Sequence, residues 1–180
     1  MLDVLLAANK KFVGEGCGVD ASKYPRLHLA VLACMDTRLV GLLEPALGLS
    51  CGDAIIIKNA GNVLDEGALR SLVVAVYQLG VDEIIVIGHS DCGMAGLDVE
   101  ELRRRMLARG VSDRVLESLN LTAWTGGFEE EEENVRRVVE KIVEHPLLPR
   151  DVKVHGLLME TGTGRVRVLV YGKETGGKKV

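Results

Sequence analysis

Short apolar-rich runs alternate along this chain with longer stretches in which apolar residues recur every three or four positions. The short runs lie at 27–34, 54–58, 83–88, 152–159 and 166–171. Runs of this length that are apolar on both faces are typical of strands in a parallel sheet. We therefore predict one strand in each run.

The longer stretches have the periodicity of amphipathic helices, and several of them end at a glycine. The predicted helices cover residues 1–13, 38–47, 67–79, 97–108, 112–121 and about 129–143. Five consecutive glutamates open the last of these helices, at 129–133. We interpret them as a solvated helix start, because acidic side chains favour the positive end of the helix dipole. An acidic binding patch is the alternative.

Strands and helices alternate until the last two strands, which only a short turn at 161–164 separates. Alternation favours parallel strands joined by helical crossovers, and a short turn favours an antiparallel pair. We therefore predict a single α/β domain over residues 1–180, with a mainly parallel β-sheet flanked by helices and one antiparallel edge strand. The polar, glycine-rich residues 175–180 are expected to form a mobile tail.

Composition narrows the classes of function. The chain carries 22 basic and 26 acidic residues, a net charge of −4, and only 3% aromatic residues. We therefore expect no nucleic-acid binding, either through charge or through base stacking. No apolar stretch reaches the roughly 20 residues that span a bilayer, and the first residues lack the basic start of a signal peptide. We expect no membrane association and a cytoplasmic location.

Two of the predicted strands lead directly into side chains that bind metals. One run ends in Cys34, and another is followed by His89, with Cys92 three residues later. Ligands of open parallel sheets bind beyond the carboxyl ends of the strands, so these side chains are expected to form one site. Thiolate and imidazole suit zinc, although iron or cobalt would accept the same set. Three ligands leave one position open, which is typical of catalytic zinc.

The other cysteines and the remaining motifs point to no rival chemistry. Cys17 and Cys51 are interpreted as free thiols, with a regulatory or intersubunit disulfide as the alternative. A cysteine phosphatase loop would need an arginine six residues after the thiol, where this sequence has Val40 and Asp98. The sequence also lacks Gly-x-Gly-x-x-Gly, Walker and Gly-x-Ser-x-Gly patterns.

Asp36 and Arg38 follow Cys34 at distances of two and four residues. From the residues alone two interpretations stay open. The pair is either a salt bridge that caps the next helix, or a dyad in which Arg38 keeps Asp36 ionised and Asp36 orients a water at the metal. Asp91 is interpreted as a turn residue rather than a base.

Two motifs together carry a family resemblance. The segments 34–38 (Cys-Met-Asp-Thr-Arg) and 89–92 (His-Ser-Asp-Cys) flank the segment 52–62 (Gly-Asp-Ala-Ile-Ile-Ile-Lys-Asn-Ala-Gly-Asn). In this order they resemble the β-class carbonic anhydrases, and the chain looks most like the small form found in archaea and some bacteria. The resemblance continues through 154–158 and 163–165.

The resemblance implies a zinc-dependent carbonate dehydratase, a lyase that reversibly hydrates carbon dioxide to bicarbonate and a proton by attack of zinc-bound hydroxide. It implies Cys34, His89 and Cys92 as ligands of Zn²⁺, with Asp36 and Arg38 as the catalytic dyad. Because two thiolates donate much charge to zinc, we expect activity to rise at alkaline pH.

The resemblance also implies a substrate pocket and self-association. The pocket residues would be Lys58, Asn59, Ala60, Gly61 and Gly93. The glutamine that larger plant-type enzymes contribute before the first strand is missing, since the only glutamine, Gln78, falls in a predicted helix. A homodimer or tetramer is expected, with the helix at 1–13 packing on a partner subunit, although a helix on its own domain would have the same pattern.

Two other functions stay open. Relatives in this family hydrolyse carbon disulfide or carbonyl sulfide with the same three ligands, and motifs do not separate these substrates from carbon dioxide. A non-catalytic zinc-binding regulatory protein is the second alternative, and the intact pair of Asp36 and Arg38 argues against it.

Overall fold

The computed structural model describes residues 1–15 and 22–174. The helices are α1 (Leu2–Gly14), α2 (Leu43–Ala46), α3 (Glu66–Leu79), α4 (Val99–Ala108), α5 (Asp113–Glu117), α6 (Leu121–Thr125) and α7 (Glu131–Val143). The strands are β1 (Leu29–Cys34), β2 (Ala54–Asn59), β3 (Glu83–His89), β4 (Lys153–Met159) and β5 (Val166–Glu174). Two 3₁₀ turns, Thr37–Leu39 and Ala60–Asn62, directly follow the ends of β1 and β2.

The strands form one sheet in the order β2-β1-β3-β4-β5. The first four are parallel, and β5 pairs antiparallel with β4 at the edge. This confirms the predicted fold class. Ala33 lies opposite Ile87 of β3, so the carboxyl ends of β1 and β3 lie side by side. The topology therefore brings the segments after these two strands to one place.

The sheet is buried on both faces at its centre. Leu32 of β1 packs in the cluster that includes Leu72 of α3 and Val139 of α7. Val31 points to the opposite face and packs in the cluster that contains Leu39 and Leu43. Burial on both faces explains why β1 reads as a continuous apolar run.

Helix α7 packs very closely on β3 and β4. A Cβ atom on Gly88 would lie 2.7 Å from Val135 Cγ2, and a Cβ atom on Gly156 would lie 2.9 Å from Val135 Cγ1. Glycine is therefore required at both positions for this approach. Gly88 directly precedes His89, so α7 is seated on the strand that carries this histidine.

The predicted helix at 38–47 is wrong. The side chain of Asp36 accepts a hydrogen bond from the Arg38 backbone N–H and starts a 3₁₀ turn. Val40 is then extended, and Gly41 has a φ of 73°, a left-handed conformation that interrupts a helix. Only α2 remains helical, and its Leu43 packs against the sheet together with Leu39 of the 3₁₀ turn.

Other boundaries differ for local reasons. The predicted helix at 112–121 is two helices, because the side chain of Asn120 accepts from the Ala123 N–H and caps α6. Strand β1 begins at Leu29 rather than at position 27, since His28 has a φ of 52°. Helix α4 begins at Val99, after the cap that Asp98 provides.

Three further predictions concern the ends of the chain and the cysteines. Cys51 is a free thiol, as predicted, but its side chain is exposed. Cys17 and the predicted tail at 175–180 lie outside the described residues. Within 1–15 and 22–174, no helix has the length and apolar character to cross a membrane.

Candidate metal centre

The site lies where β1 and β3 end. Cys34 is the last residue of β1, His89 is the last residue of β3, and Cys92 lies in the turn that follows. The two sulfur atoms and one imidazole nitrogen all lie within 4.8 Å of one another. All three side chains are buried, His89 completely. The structure thus brings the three predicted ligands together.

The orientation of His89 leaves one ring nitrogen for the cluster. Nδ1 lies 3.0 Å from the carbonyl oxygen of Ser90, which can only accept a hydrogen bond, so Nδ1 carries the proton. Nε2 is buried and has no hydrogen-bond partner among the residues that the structure describes. A buried nitrogen with a free lone pair is costly unless something binds it, and a metal ion could fill that role.

The surroundings of the two thiols shift their pKa values in opposite directions. The two sulfur atoms lie 3.9 Å apart, and the Gly61 N–H donates to Cys34 Sγ at 3.4 Å. The hydrogen bond from Cys92 lowers the pKa of the Cys34 thiol to about 4, against the effect of burial. The same contact, together with burial, raises the pKa of Cys92. The Cys34 thiol is therefore the more acidic of the two.

The spacing of the sulfurs fits a tetrahedral metal. Two sulfurs that each lie about 2.3 Å from zinc at a tetrahedral angle are roughly 3.8 Å apart. The observed 3.9 Å is close to that value. A disulfide would bring the sulfurs to about 2.05 Å. The donor set and its spacing therefore fit zinc.

Asp36 is held beside this cluster by Arg38. Asp36 Oδ1 accepts from the backbone N–H and Nε of Arg38, at 2.8 and 3.0 Å, and Oδ2 accepts from Nη2 at 2.8 Å. These hydrogen bonds hold the pKa of the Asp36 carboxyl well below its usual range. Oδ2 lies 3.9 Å from His89 Nε2. The pair thus caps the 3₁₀ turn and also presents a charged oxygen to the metal ligands.

Asp91 has a role that its sequence context did not indicate. Its φ of 55° makes it the turn residue that was predicted. Its carboxylate also accepts from Arg38 Nη1 at 2.7 Å, and its carbonyl oxygen accepts from Nη2 at 2.6 Å. Arg38 therefore joins the loop after β1 to the loop after β3. No local signal could have shown this, because the contact exists only after the two strands have paired.

Some of the predicted pocket residues contact the cluster, and the side chains of others bind acidic residues instead. Gly61 touches the site through its N–H, and the Asn59 carbonyl oxygen accepts from the Met35 N–H at 2.9 Å. The side chains of Lys58 and Asn59 bind acidic partners, Glu44 at 3.5 Å and Asp65 at 3.1 Å respectively. Gly93 has open space where a side chain would begin.

A groove of about 720 Å³ adjoins Gly61. A Cβ atom on Gly61 would lie 3.0 Å from Met94 Cβ, and Met94 and Ala60 both line the groove. Much of its wall is apolar, from residues Ala60, Val63, Met94, Leu97, Leu102 and Trp124. An apolar groove next to a polar metal-ligand cluster suits a small uncharged substrate.

Comparison with known proteins gives consistent results. Residues 29–166 match the sequence model of the carbonic anhydrase family. YvdA of Bacillus subtilis (strain 168), itself a provisional carbonic anhydrase, is 40% identical over 184 residues, which cover 97% of this chain and 93% of YvdA. A carbon disulfide hydrolase of Acidithiobacillus thiooxidans is 32% identical over 153 residues, 78% of this chain and 76% of the hydrolase.

A solved structure resembles the whole described fold. The crystal structure of β-carbonic anhydrase isoform I from the protozoan Trichomonas vaginalis superimposes with a TM-score of 0.90 at 34% sequence identity. The superposition covers 96% of this chain and 98% of that chain.

Proposed function

This chain belongs to the β-carbonic anhydrase family, and from that premise we propose that it catalyses the reversible hydration of carbon dioxide to bicarbonate and a proton. One observation carries the proposal: two thiol sulfurs and an unpartnered imidazole nitrogen lie within 4.8 Å of one another, next to a carboxylate that an arginine holds in place. Three protein ligands with an adjacent carboxylate are typical of hydrolytic and hydration chemistry at zinc.

Cys34, His89 and Cys92 would hold the metal ion, Zn²⁺ in this proposal. Zinc bound there supplies a Lewis acid that brings the pKa of a coordinated water down from its bulk value towards about 7. The hydrogen bond from His89 Nδ1 to the Ser90 carbonyl fixes the tautomer of the neutral ring, so that the Nε2 lone pair is available to the metal. The Gly61 N–H stabilises the charge on Cys34 Sγ.

Asp36 would orient the reacting water. Its carboxylate stays ionised because Arg38 lowers its pKa, so it only accepts hydrogen bonds. A water at the site would donate one hydrogen to Asp36 Oδ2, which directs an oxygen lone pair towards the substrate. Both Asp36 oxygens are bonded to Arg38, the arrangement expected when Asp36 remains off the metal.

The substrate would be a small linear molecule. Ala60 and Gly61 present little or no side chain at the junction between the cluster and the apolar groove. Carbon dioxide needs little more than room and an apolar surface, whereas the bicarbonate product is charged and returns readily to water. Gln78 lies within α3 and takes no part in this pocket, so substrate contacts differ from those of the plant-type enzymes.

Hydrolysis of carbon disulfide or carbonyl sulfide is the second candidate. It is favoured by the 32% identity to the carbon disulfide hydrolase and by the apolar wall of the groove, which would accept a larger and less polar linear molecule. A non-catalytic zinc-binding protein would have no need for the arginine-bound carboxylate beside the metal ligands.

Self-association is part of the proposal. None of the residues of α1 is buried, and Leu5 and Phe12 are 58% and 51% exposed. An amphipathic helix with an uncovered apolar face gains stability only by packing against another surface. We infer that a second copy covers this helix in a homodimer, which sedimentation of wild type and Leu5→Asp would test. Dimeric wild type and a monomeric variant are expected, and a monomeric wild type would contradict this inference.

The function is tested by the hydration rate. We would measure stopped-flow hydration of carbon dioxide by the zinc-loaded protein from pH 6.5 to 9, with Cys34→Ser as the inactive reference and turnover of carbon disulfide in parallel. Fast hydration that rises towards alkaline pH and is abolished in Cys34→Ser supports the proposal. Turnover of carbon disulfide without hydration would favour the second candidate, and neither activity with zinc bound would favour the non-catalytic protein.

A further inference from the structure

Helix α7 reaches both cysteines of the candidate metal centre from outside. We propose that Asn134 and Glu131, one helical turn apart, are positioning residues that fix Cys34 and Cys92 for metal binding. The inference rests on the proposed metal site. It assigns a role to a helix that the function described above does not otherwise use.

The Asn134 side of the arrangement acts through Gly61. Asn134 Nδ2 donates to the Gly61 carbonyl oxygen at 2.9 Å, and the Gly61 N–H donates to Cys34 Sγ at 3.4 Å. Asn134 is only 1% exposed, so its hydrogen bonds are not exchanged with water. The amide orientation is fixed as well, because Arg137 Nη2 can only donate and lies 2.8 Å from Asn134 Oδ1.

The backbone of Gly61 has little freedom to move. Its φ is 74°, which favours glycine, and a Cβ atom there would lie 2.9 Å from Phe128 Cε1. Its peptide is therefore enclosed by Phe128, Met94 and the Asn134 amide. The direction of the N–H towards Cys34 Sγ depends on the hydrogen bond that holds the carbonyl end of the same residue.

The Glu131 side of the arrangement acts on Cys92 directly. Glu131 Oε1 accepts from the Cys92 backbone N–H at 3.2 Å. Cys92 lies in the turn that follows the left-handed Asp91. The sequence prediction placed all five glutamates at 129–133 on a solvated helix start, and the structure assigns Glu131 this specific partner instead.

The two contacts come from one rigid element. Val135, next to Asn134, fills the space above Gly88 and Gly156, so α7 is fixed against β3 and β4 at its first turn. Residues three apart on a helix share a face. A shift of α7 would thus disturb both thiol positions at once. Removing a residue that holds a metal ligand in place commonly changes metal affinity about 10- to 100-fold.

The test compares matched variants of the full chain in binding metals. We would measure zinc affinity by competition with a chromophoric chelator and the visible absorption of the Co²⁺-substituted protein, which reports thiolate coordination. Asn134→Ala and Glu131→Ala are expected to weaken zinc binding at least tenfold and to shift the cobalt bands. Glu131→Gln, which keeps an acceptor oxygen, is expected to stay within about twofold of wild type.

Two controls separate positioning from general damage. Glu133→Ala removes the same charge from the same turn at an exposed position, and this variant should bind zinc as wild type does. The melting temperature of each metal-free variant shows whether its fold is kept. If metal-free Asn134→Ala does not fold, the comparison of Glu131→Ala with Glu131→Gln decides.

The outcomes distinguish the two proposals. Unchanged zinc affinity and cobalt spectra in Asn134→Ala and Glu131→Ala, with tight binding by wild type, would overturn the positioning role and leave the proposed function intact. Wild type that binds no zinc would overturn the proposed function itself.

Discussion

Two arginine–aspartate pairs lie at opposite ends of the parallel strands, and they use the same chemistry for different purposes. Arg26 and Asp53 lie before β1 and β2, with Arg26 Nη2 2.8 Å from Asp53 Oδ1. Asp36 and Arg38 lie beyond the end of β1, with Arg38 Nη2 2.8 Å from Asp36 Oδ2. In each pair the aspartate is the less exposed partner.

The pairs differ in what the second carboxylate oxygen faces. Asp53 Oδ2 accepts from the Ser50 backbone N–H at 2.9 Å and closes the turn before β2, while Oδ1 binds Arg26. Asp36 Oδ2 faces the candidate metal ligands, 3.9 Å from His89 Nε2. The pair before the strands therefore stabilises the fold, whereas the pair beyond their carboxyl ends lies at the candidate site.

The comparison predicts its largest effect for Asp36→Asn. The amide keeps the size of the side chain but loses the charged acceptor for the reacting water, so kcat/KM for carbon dioxide hydration should fall at least about 100-fold. The melting temperature should change little, since an amide oxygen can still accept from the Arg38 N–H. Stopped-flow hydration and thermal denaturation of the same sample would check both. Near-normal kcat/KM would show that Asp36 is no more than a helix cap.

Asp53→Asn should have the opposite profile. This substitution weakens the hydrogen bonds of a buried side chain to Ser50 and Arg26, and we expect a melting temperature lower by a few degrees. Hydration activity measured well below that temperature should equal that of wild type. A large loss of activity in the folded variant would contradict the claim that Asp53 stabilises the fold without contributing to activity.

The Asp53 pair also predicts a pH dependence of stability. The Ser50 N–H, and then Arg26, lower the pKa of the Asp53 carboxyl in the folded protein. A depressed folded pKa contributes stability above the unfolded pKa of about 4, and this contribution is lost as the pH falls through the lower folded pKa. The stability difference between wild type and Asp53→Asn, from urea denaturation, should therefore be constant from pH 7 to about 5 and shrink below pH 4. A difference that grows with acid would contradict this.

The smallest effect is expected for Asp91→Asn. Asparagine tolerates the left-handed backbone of this turn, so the substitution removes only the carboxylate that binds Arg38 Nη1. The Asp91 side chain is 88% exposed and its carbonyl still binds Arg38, so kcat/KM should fall only about two- to fivefold. A loss as large as that of Asp36→Asn would mean that Asp91 is part of the catalytic machinery.

The sequence was sufficient for the sheet and for the cluster of Cys34, His89 and Cys92 at its edge. The central strands β1 and β3 are largely apolar, and this pattern is local, so the positions of Cys34 and His89 at strand ends follow from it directly. Parallel pairing then makes the two ends meet. The predicted pairing of Asp36 with Arg38 is also local, because the residues are two positions apart.

The sequence was not sufficient to predict features that depend on tertiary contacts or on left-handed backbone angles. The helix predicted after Cys34 is interrupted because Asp36 caps a 3₁₀ turn and Gly41 adopts a positive φ. The contacts of Asp91 and Asn134 depend on loops that are far apart in the sequence. Only the folded chain brings their partners within reach.

The most direct test of the account is the metal content of matched cysteine variants. Wild type, Cys34→Ser and Cys51→Ser would be loaded with zinc, passed through a desalting column and analysed by elemental mass spectrometry. The account predicts one zinc per chain in wild type and in Cys51→Ser, whose thiol is exposed and distant from the cluster, and little zinc in Cys34→Ser. Equal zinc in Cys34→Ser and wild type would contradict the claim that the ends of β1 and β3 together form the metal site.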